Sequence, residues 1–144
     1  MAKDFEPMVN VTHIGTVDVS AAVHRNIFIA PCACVLKRVA IINGTAKAKD
    51  KDNNLTATVK NLGSAGTGTT TVATQSTDSD VTGSVAISAD IPWELKLSTT
   101  LANLELADGD VLQLQFTEGA AGAGDLDAEA AVIVEWVPGN GPGK

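Results

Sequence analysis

Apolar and polar residues alternate along much of this chain. Leu112, Leu114 and Phe116 are separated by Gln113 and Gln115, and Trp93, Leu95 and Leu97 by Glu94 and Lys96. A period of two puts one set of side chains on a buried face and the other in water, which is how a half-buried β-strand reads. Val11, His13, Gly15, Val17 and Val19 repeat the rhythm, as do Val23, Arg25, Ile27 and Ile29 ahead of Pro31. Proline lacks a backbone donor, so it ends that strand or confines it to an edge. The stretch from about Ala33 to Ile42 is rich in β-branched residues and closes on the turn pair Asn43-Gly44. Val35, Val39 and Ile41 fall on one of its faces and Leu36 and Ile42 on the other, which predicts a central strand buried on both sides.

Further along, Thr45 to Asn54 reads as a charged loop. Leu55, Ala57 and Val59 then alternate with Thr56, Thr58 and Lys60 up to the glycines at 63, 66 and 68. Thr69 to Ser76 is a threonine-rich strand or extended loop, and Asp78 and Asp80 mark a turn. Val81, Gly83, Val85 and Ile87 alternate once more. Ser98 to Ala107 reads as a loop or a single helical turn, Ala107 to Asp110 as a tight turn, and Glu118 to Asp127 as a flexible acidic loop. The last strand, Ala128 to Val137, sets Ala130, Val132, Val134 and Trp136 on one face. Eight to ten short strands without an amphipathic helix predict an all-β fold: an antiparallel β-sandwich, jelly-roll-like, with two four-stranded sheets. The expected organisation is an N-terminal arm over residues 1–10, one sandwich domain over 11–138 and a flexible tail over 139–144.

With 144 residues the chain can bury roughly 70% of its unfolded surface, enough for one core. The apolar 44% comes mostly from aliphatic residues, with three Phe, two Trp and no Tyr. That scarcity of rings argues against the stacking platforms of single-strand nucleic-acid binders and many glycan binders. A net charge of −7 also opposes a phosphate backbone, so nucleic acid is not an expected partner. No apolar run reaches the roughly 18 residues a membrane helix needs, and the first residues lack the pattern of a secretory leader, so synthesis in a cytoplasm is expected. Cys32 and Cys34, two apart on one strand face at about 7 Å, are too far apart for an undistorted disulfide and read as reduced, packed thiols.

Candidate chemistry is thin. Asp50, Asp52 and Asn54 match the first ligand positions of a helix-loop-helix calcium loop, but Leu55 stands where glycine is needed and Asn61 where a bidentate Glu is required. Asp108 with Asp110, and Asp125 with Asp127 and Glu129, read as acidic turns. Gly63, Gly66 and Gly68 lack the Lys-Ser/Thr ending of a phosphate loop. His13 and His24 fall on separate strands and do not build a site with the cysteines. Trp93, after Pro92, reads as a cap on the core. No enzyme, metal or cofactor is expected.

Asn26-Ile27-Phe28-Ile29-Ala30-Pro31-Cys32-Ala33-Cys34-Val35-Leu36 resembles the apolar strand, Ala-Pro and second strand that open the small head proteins of tailed bacteriophages. Leu106-Ala107-Asp108-Gly109-Asp110-Val111-Leu112-Gln113-Leu114, a Gly-rich loop and the closing Val132-Ile133-Val134-Glu135-Trp136-Val137-Pro138 are similar to their second half. These are capsid decoration, or head-stabilising, proteins. The resemblance covers residues 15 to 138. It implies a structural protein of the virion that binds the major capsid protein on the outer capsid surface, and homotrimers at threefold positions. Phe5, Met8 and Val9 of the expected arm are then the candidate capsid contacts. The alternative is a receptor- or glycan-binding sandwich of a phage fibre or adhesin, with calcium and sugar held near Asp108 and Asp125.

Overall fold

The computed structural model describes residues 6–17, 23–119, 126, 127 and 129–139. Ten strands follow one another among them: β1 (Met8–His13), β2 (Val23–Ile29), β3 (Cys34–Ile42), β4 (Leu55–Asn61), β5 (Thr70–Ser76), β6 (Trp93–Glu94), β7 (Lys96–Leu97), β8 (Glu105–Leu106), β9 (Val111–Glu118) and β10 (Ala131–Pro138). One short 3-10 turn, Leu101–Leu104, precedes β8. All strand pairs are antiparallel.

The pairing β1/β10, β2/β9, β3/β8 and β4/β5 is that of a single long hairpin whose two arms run back along each other. Rolling that hairpin brings β10 against β3 and β9 against β4. The result is one sheet in the order β1-β10-β3 with β6 and β8 both flanking β3, and a second in the order β2-β9-β4-β5-β7. This interleaving is the jelly-roll form of a β-sandwich.

Each sheet has five strands where four were expected, because the stretch after Pro92 is broken up. β6 pairs with one end of β3, β7 crosses to β5 in the other sheet, and β8 returns to the far end of β3. Between them Leu95 donates its N–H to Val39 O at 2.9 Å. This segment laces the two sheets together along one side and covers both of their edges there.

Leu112, Leu114 and Phe116 of β9 and Leu55, Ala57 and Val59 of β4 are wholly buried and face Leu36, Val39 and Ile41 of β3 and Val132, Val134 and Trp136 of β10. Phe28 and Trp136 close one end, with ring centroids 5.8 Å apart at an interplanar angle of 51°. Trp93 is buried, its indole N–H donating to Val85 O at 2.8 Å, so it sits under the core's edge as expected.

β3 departs from the expected two-sided burial. Against β10, Arg38 pairs with Glu135 but Leu36 pairs with Trp136, so Lys37 is an extra residue in a bulge. The extra residue resets the alternation. Cys34 and Leu36 before it, and Val39 and Ile41 after it, all turn inward, each at most 1% exposed. Val35 and Ile42 go to the outer face.

Two other segments differ from the alternation read in sequence. Val81 to Ile87 is a series of turns joined to the rest of the fold by a bridge between Ile87 and Lys47, by the Val85 N–H donating to Ser76 O at 3.0 Å and by the Trp93 indole on Val85 O. Val81 donates back to Asp78 O and Ser84 to Val81 O, and Gly83 has a positive φ of 78° that a strand does not allow. β1 begins at Met8, inside the expected arm, and ends at His13. Val17 makes only an isolated bridge, to Leu126.

Deleting Lys37 removes the bulge and sends either Cys34 and Leu36 or Val39 and Ile41 to the solvent face. The deletion variant is expected to lose its cooperative thermal transition. A melting temperature within about 3 °C of the parent would show that the bulge does not set the core.

Candidate binding surface

Residues directly opposite in a sheet point to the same side, so the registers define both outer faces. On the second sheet the outward residues are His24, Asn26, Ile29, Val111, Gln113, Gln115, Thr117, Thr56, Thr58, Lys60, Thr71, Thr74, Ser76 and Lys96. Polar side chains among them bond to one another. Gln113 donates to Asn26 at 3.1 Å, Gln115 donates to Gln113 at 2.9 Å, and the hydroxyls of Thr56 and Ser76 meet at 2.9 Å. This face is polar and largely self-satisfied over its middle, with one aliphatic pair at its end, Ile29 opposite Val111, where Ile29 is 65% exposed.

The first sheet is different. Its outward rows, from one end of the strands to the other, are His13, Ala131 and Ile42; Val11, Ile133, Ala40 and Glu94; Val9, Glu135 and Arg38; and Val137, Val35 and Glu105. Ala40 is covered completely by its neighbours, and Val9 and Val11 are 56% and 66% exposed. Across this aliphatic surface lies one ion-pair cluster. The Arg38 guanidinium bonds both carboxylate oxygens of Glu94 and reaches Glu135 at 3.1 Å. Hydrogen bonding to Glu94 raises the Arg38 pKa above its ordinary value, and the guanidinium is held charged. The cluster ties β3, β6 and β10 together on their solvent side.

The signal for this face was present in the sequence. β9 alternates Leu and Gln cleanly, whereas Val39-Ala40-Ile41-Ile42 and Val132-Ile133-Val134 are unbroken apolar runs, the mark of a strand with apolar residues on both faces.

Of the expected capsid contacts, Phe5 lies outside the described residues. Met8 pairs with Trp136 and Val9 with Glu135, so these two project to opposite sides of β1 and only Val9 borders the aliphatic face. His13 is on the first sheet and His24 on the second.

The acidic turns hold the fold's own backbone. Asp50 accepts from the N–H groups of Asp52 and Asn53 at 2.7 and 2.8 Å, and the Asn54 amide is spent on Lys51 O. Asp110 accepts from Asn61 and from the Ala107 N–H. Asp127 accepts from the Glu129 N–H at 2.9 Å and from the Thr45 hydroxyl at 3.0 Å, while Asn43 accepts the Asp127 N–H. A Cβ at Gly44 would stand 2.8 Å from the Asp127 carboxylate, so glycine is what lets the 43–45 turn close on it. Among the described residues no group of three His, Cys, Asp or Glu side chains is placed to hold a metal. The 63–68 loop also closes on itself, Gly63 donating to the Asn61 side chain and Gly68 to Leu62 O.

Both cysteines are free thiols. Burial pushes the Cys34 thiol up to about 11, with Cys32 and Asp110 adding to the effect.

No protein-family model matches this sequence, and no curated protein matches it.

Two outcomes test these assignments. The Glu129 N–H, followed by the Thr45 hydroxyl, holds the Asp127 carboxyl below the usual carboxylate range. A depressed folded value means that its contribution is present above about pH 4 and fades as pH falls through the folded value. Asp127→Ala should therefore melt below the parent at pH 6, with the gap closing as the pH approaches the acid limit of folding. A gap that does not depend on pH would remove the carboxylate from this role. Alkylation of the native protein at pH 8 should mark Cys32 and spare Cys34 until the chain is denatured. Equal labelling of both would contradict the burial of Cys34.

Proposed function

We propose that this chain is a non-enzymatic decoration protein of a tailed-phage capsid, seated on the outer surface of the head through the aliphatic face of its first sheet. The observation that carries this reading is the contrast between the two outer faces. A jelly roll free in solution needs no aliphatic rows on a solvent face, and apolar rows exposed on either side of charges that are already paired suit a contact with another protein. The sequence resemblance to head-stabilising proteins supplies the partner, the major capsid protein.

The Arg38 cluster fits such a contact. Covering it excludes water, which strengthens the attraction of Arg38 for Glu94 and Glu135, and all three charges are already paired before docking. A net charge of −7 is tolerated on the outside of a DNA-filled shell, where no phosphate backbone faces the protein. Binding only to the assembled lattice adds its binding free energy to the stability of the shell. Val9 borders this face and belongs to the contact.

Cosedimentation with undecorated heads tests the proposal. Ile133→Lys, at the centre of the aliphatic rows, is expected to weaken binding by at least about tenfold, or 1.4 kcal/mol. Gln115→Lys, on the polar face, should bind as the parent does. The assignment is wrong if Ile133→Lys binds normally, and the opposite face takes its place if only Gln115→Lys fails. Absence of binding by the parent would reject the decoration role.

A further inference from the structure

We infer that β1 is where a second copy of this chain docks, the two β1 strands pairing antiparallel across a twofold axis at Asn10. The argument starts from the edges of the two sheets. Along one side the crossing segment β6–β8 covers them. On the other side β1 and β2 are the outer strands, and the Thr12 hydroxyl donates to Ile27 O at 3.0 Å. β2 is protected in the usual ways, by a register shift between Asn26 and Phe28 and by the exposed Arg25. β1 has neither device. Its pairing with β10 is unbroken over six residues, and neither a charged Lys, Arg, Asp or Glu nor a proline lies within it.

The backbone direction follows from the ladder. Ile14 donates to Ala130 O at 2.9 Å, one residue beyond the β1–β10 pairs. Residues that exchange bonds with a neighbouring strand alternate with those that do not, so Thr12, Asn10 and Met8 address β10. The N–H and C=O of Val9 and Val11 therefore point away from the sheet. About a twofold at Asn10, Val9 of each copy stands opposite Val11 of the other, and the pairs make four backbone bonds. His13 is already engaged elsewhere and takes no part. The valines of both copies lie on the same outer face, continuing the row of Ile133 and Ala40.

Self-complementarity points to a second copy as the occupant, at the one edge where charge does not oppose it. The chain has 17 carboxylates and a net charge of −7, so two copies repel over most of their surfaces. β1 contains none of those carboxylates, and the Val9–Val11 pairing is self-complementary. The inference does not depend on the capsid reading.

Sedimentation of the purified full chain at about 0.1 mM is the test, since a contact of this size binds weakly. The expected species has twice the mass of one chain. Val11→Pro deletes a donor that points outward, so it should give a monomer with the parent's circular dichroism spectrum. Val11→Lys should do the same if proline disturbs the strand. Asn10→Cys should form an interchain disulfide under mild oxidation, because residues at that position face each other without intervening bonds at about 4.5 Å between Cα atoms. A monomeric parent, the homotrimer implied by the family resemblance, an open series of larger species, or an undiminished dimer in both Val11 variants would each overturn the inference. Heads that fail to bind a dimeric protein would overturn the decoration reading alone.

Discussion

The inward rows of two facing sheets must be apolar at every level, and in this molecule that requirement is met only because β3 carries one residue too many. Lys37 lets Leu36 and Val39, three apart, point the same way. Without that shift one half of β3 would turn away from Leu114 and Val134, and a strand at the centre of its sheet would leave buried aliphatic partners facing polar groups. A bulge also increases local twist, which suits a sheet that must curl over its partner. The core's position, and through it the placing of β10 and β1, follows from this one insertion.

The two outer faces inherit their character from the same strands. Where β9 and β4 alternate aliphatic residues with Gln and Thr, the outer face becomes a lattice of amides and hydroxyls that bond among themselves. Where β3 and β10 keep apolar residues at successive positions, the outer face is aliphatic, and the two carboxylates near its centre, Glu94 and Glu135, are both paired with Arg38. A surface whose charges are already paired can be covered by another protein at a smaller desolvation cost than one whose charges are free. That is the physical link between the packing of the first sheet and a role in adhesion.

The sandwich is also unequal from side to side. The chain after Pro92 crosses between the sheets and uses three two-residue strands to finish β3 and β5. The carboxylates of the turns contribute in a similar way, by accepting N–H groups from loops that would otherwise lack partners. Among the described residues β1 receives no such cover, and its outward valine backbones are a place where the sheet can grow.

How much of this was legible beforehand depends on how local each cause is. The Leu-Gln alternation of β9, the Leu-Thr alternation of β4 and the buried positions Val132, Val134 and Trp136 could be read directly, because a period of two needs no information beyond the strand itself. The same rule misassigned Val81 to Ile87, where Gly83 and the Asp78 turn override it, and it set Val35 with Val39 and Ile41 on one face of β3 and Leu36 with Ile42 on the other. Leu36 joins Val39 only when β10 is present to define the bulge, Arg38 meets Glu94 and Glu135 only when positions 56 and 97 residues away are brought alongside, and β1 is an edge only because the last strand rather than the second lies next to it. The sequence by itself determined that the chain would be an all-β sandwich with acidic loops. The tertiary structure decided which strand neighbours which, and hence which face is aliphatic and which edge is open, because strand partners far apart in the chain are chosen by the fit of whole rows of side chains and not by any short stretch of residues.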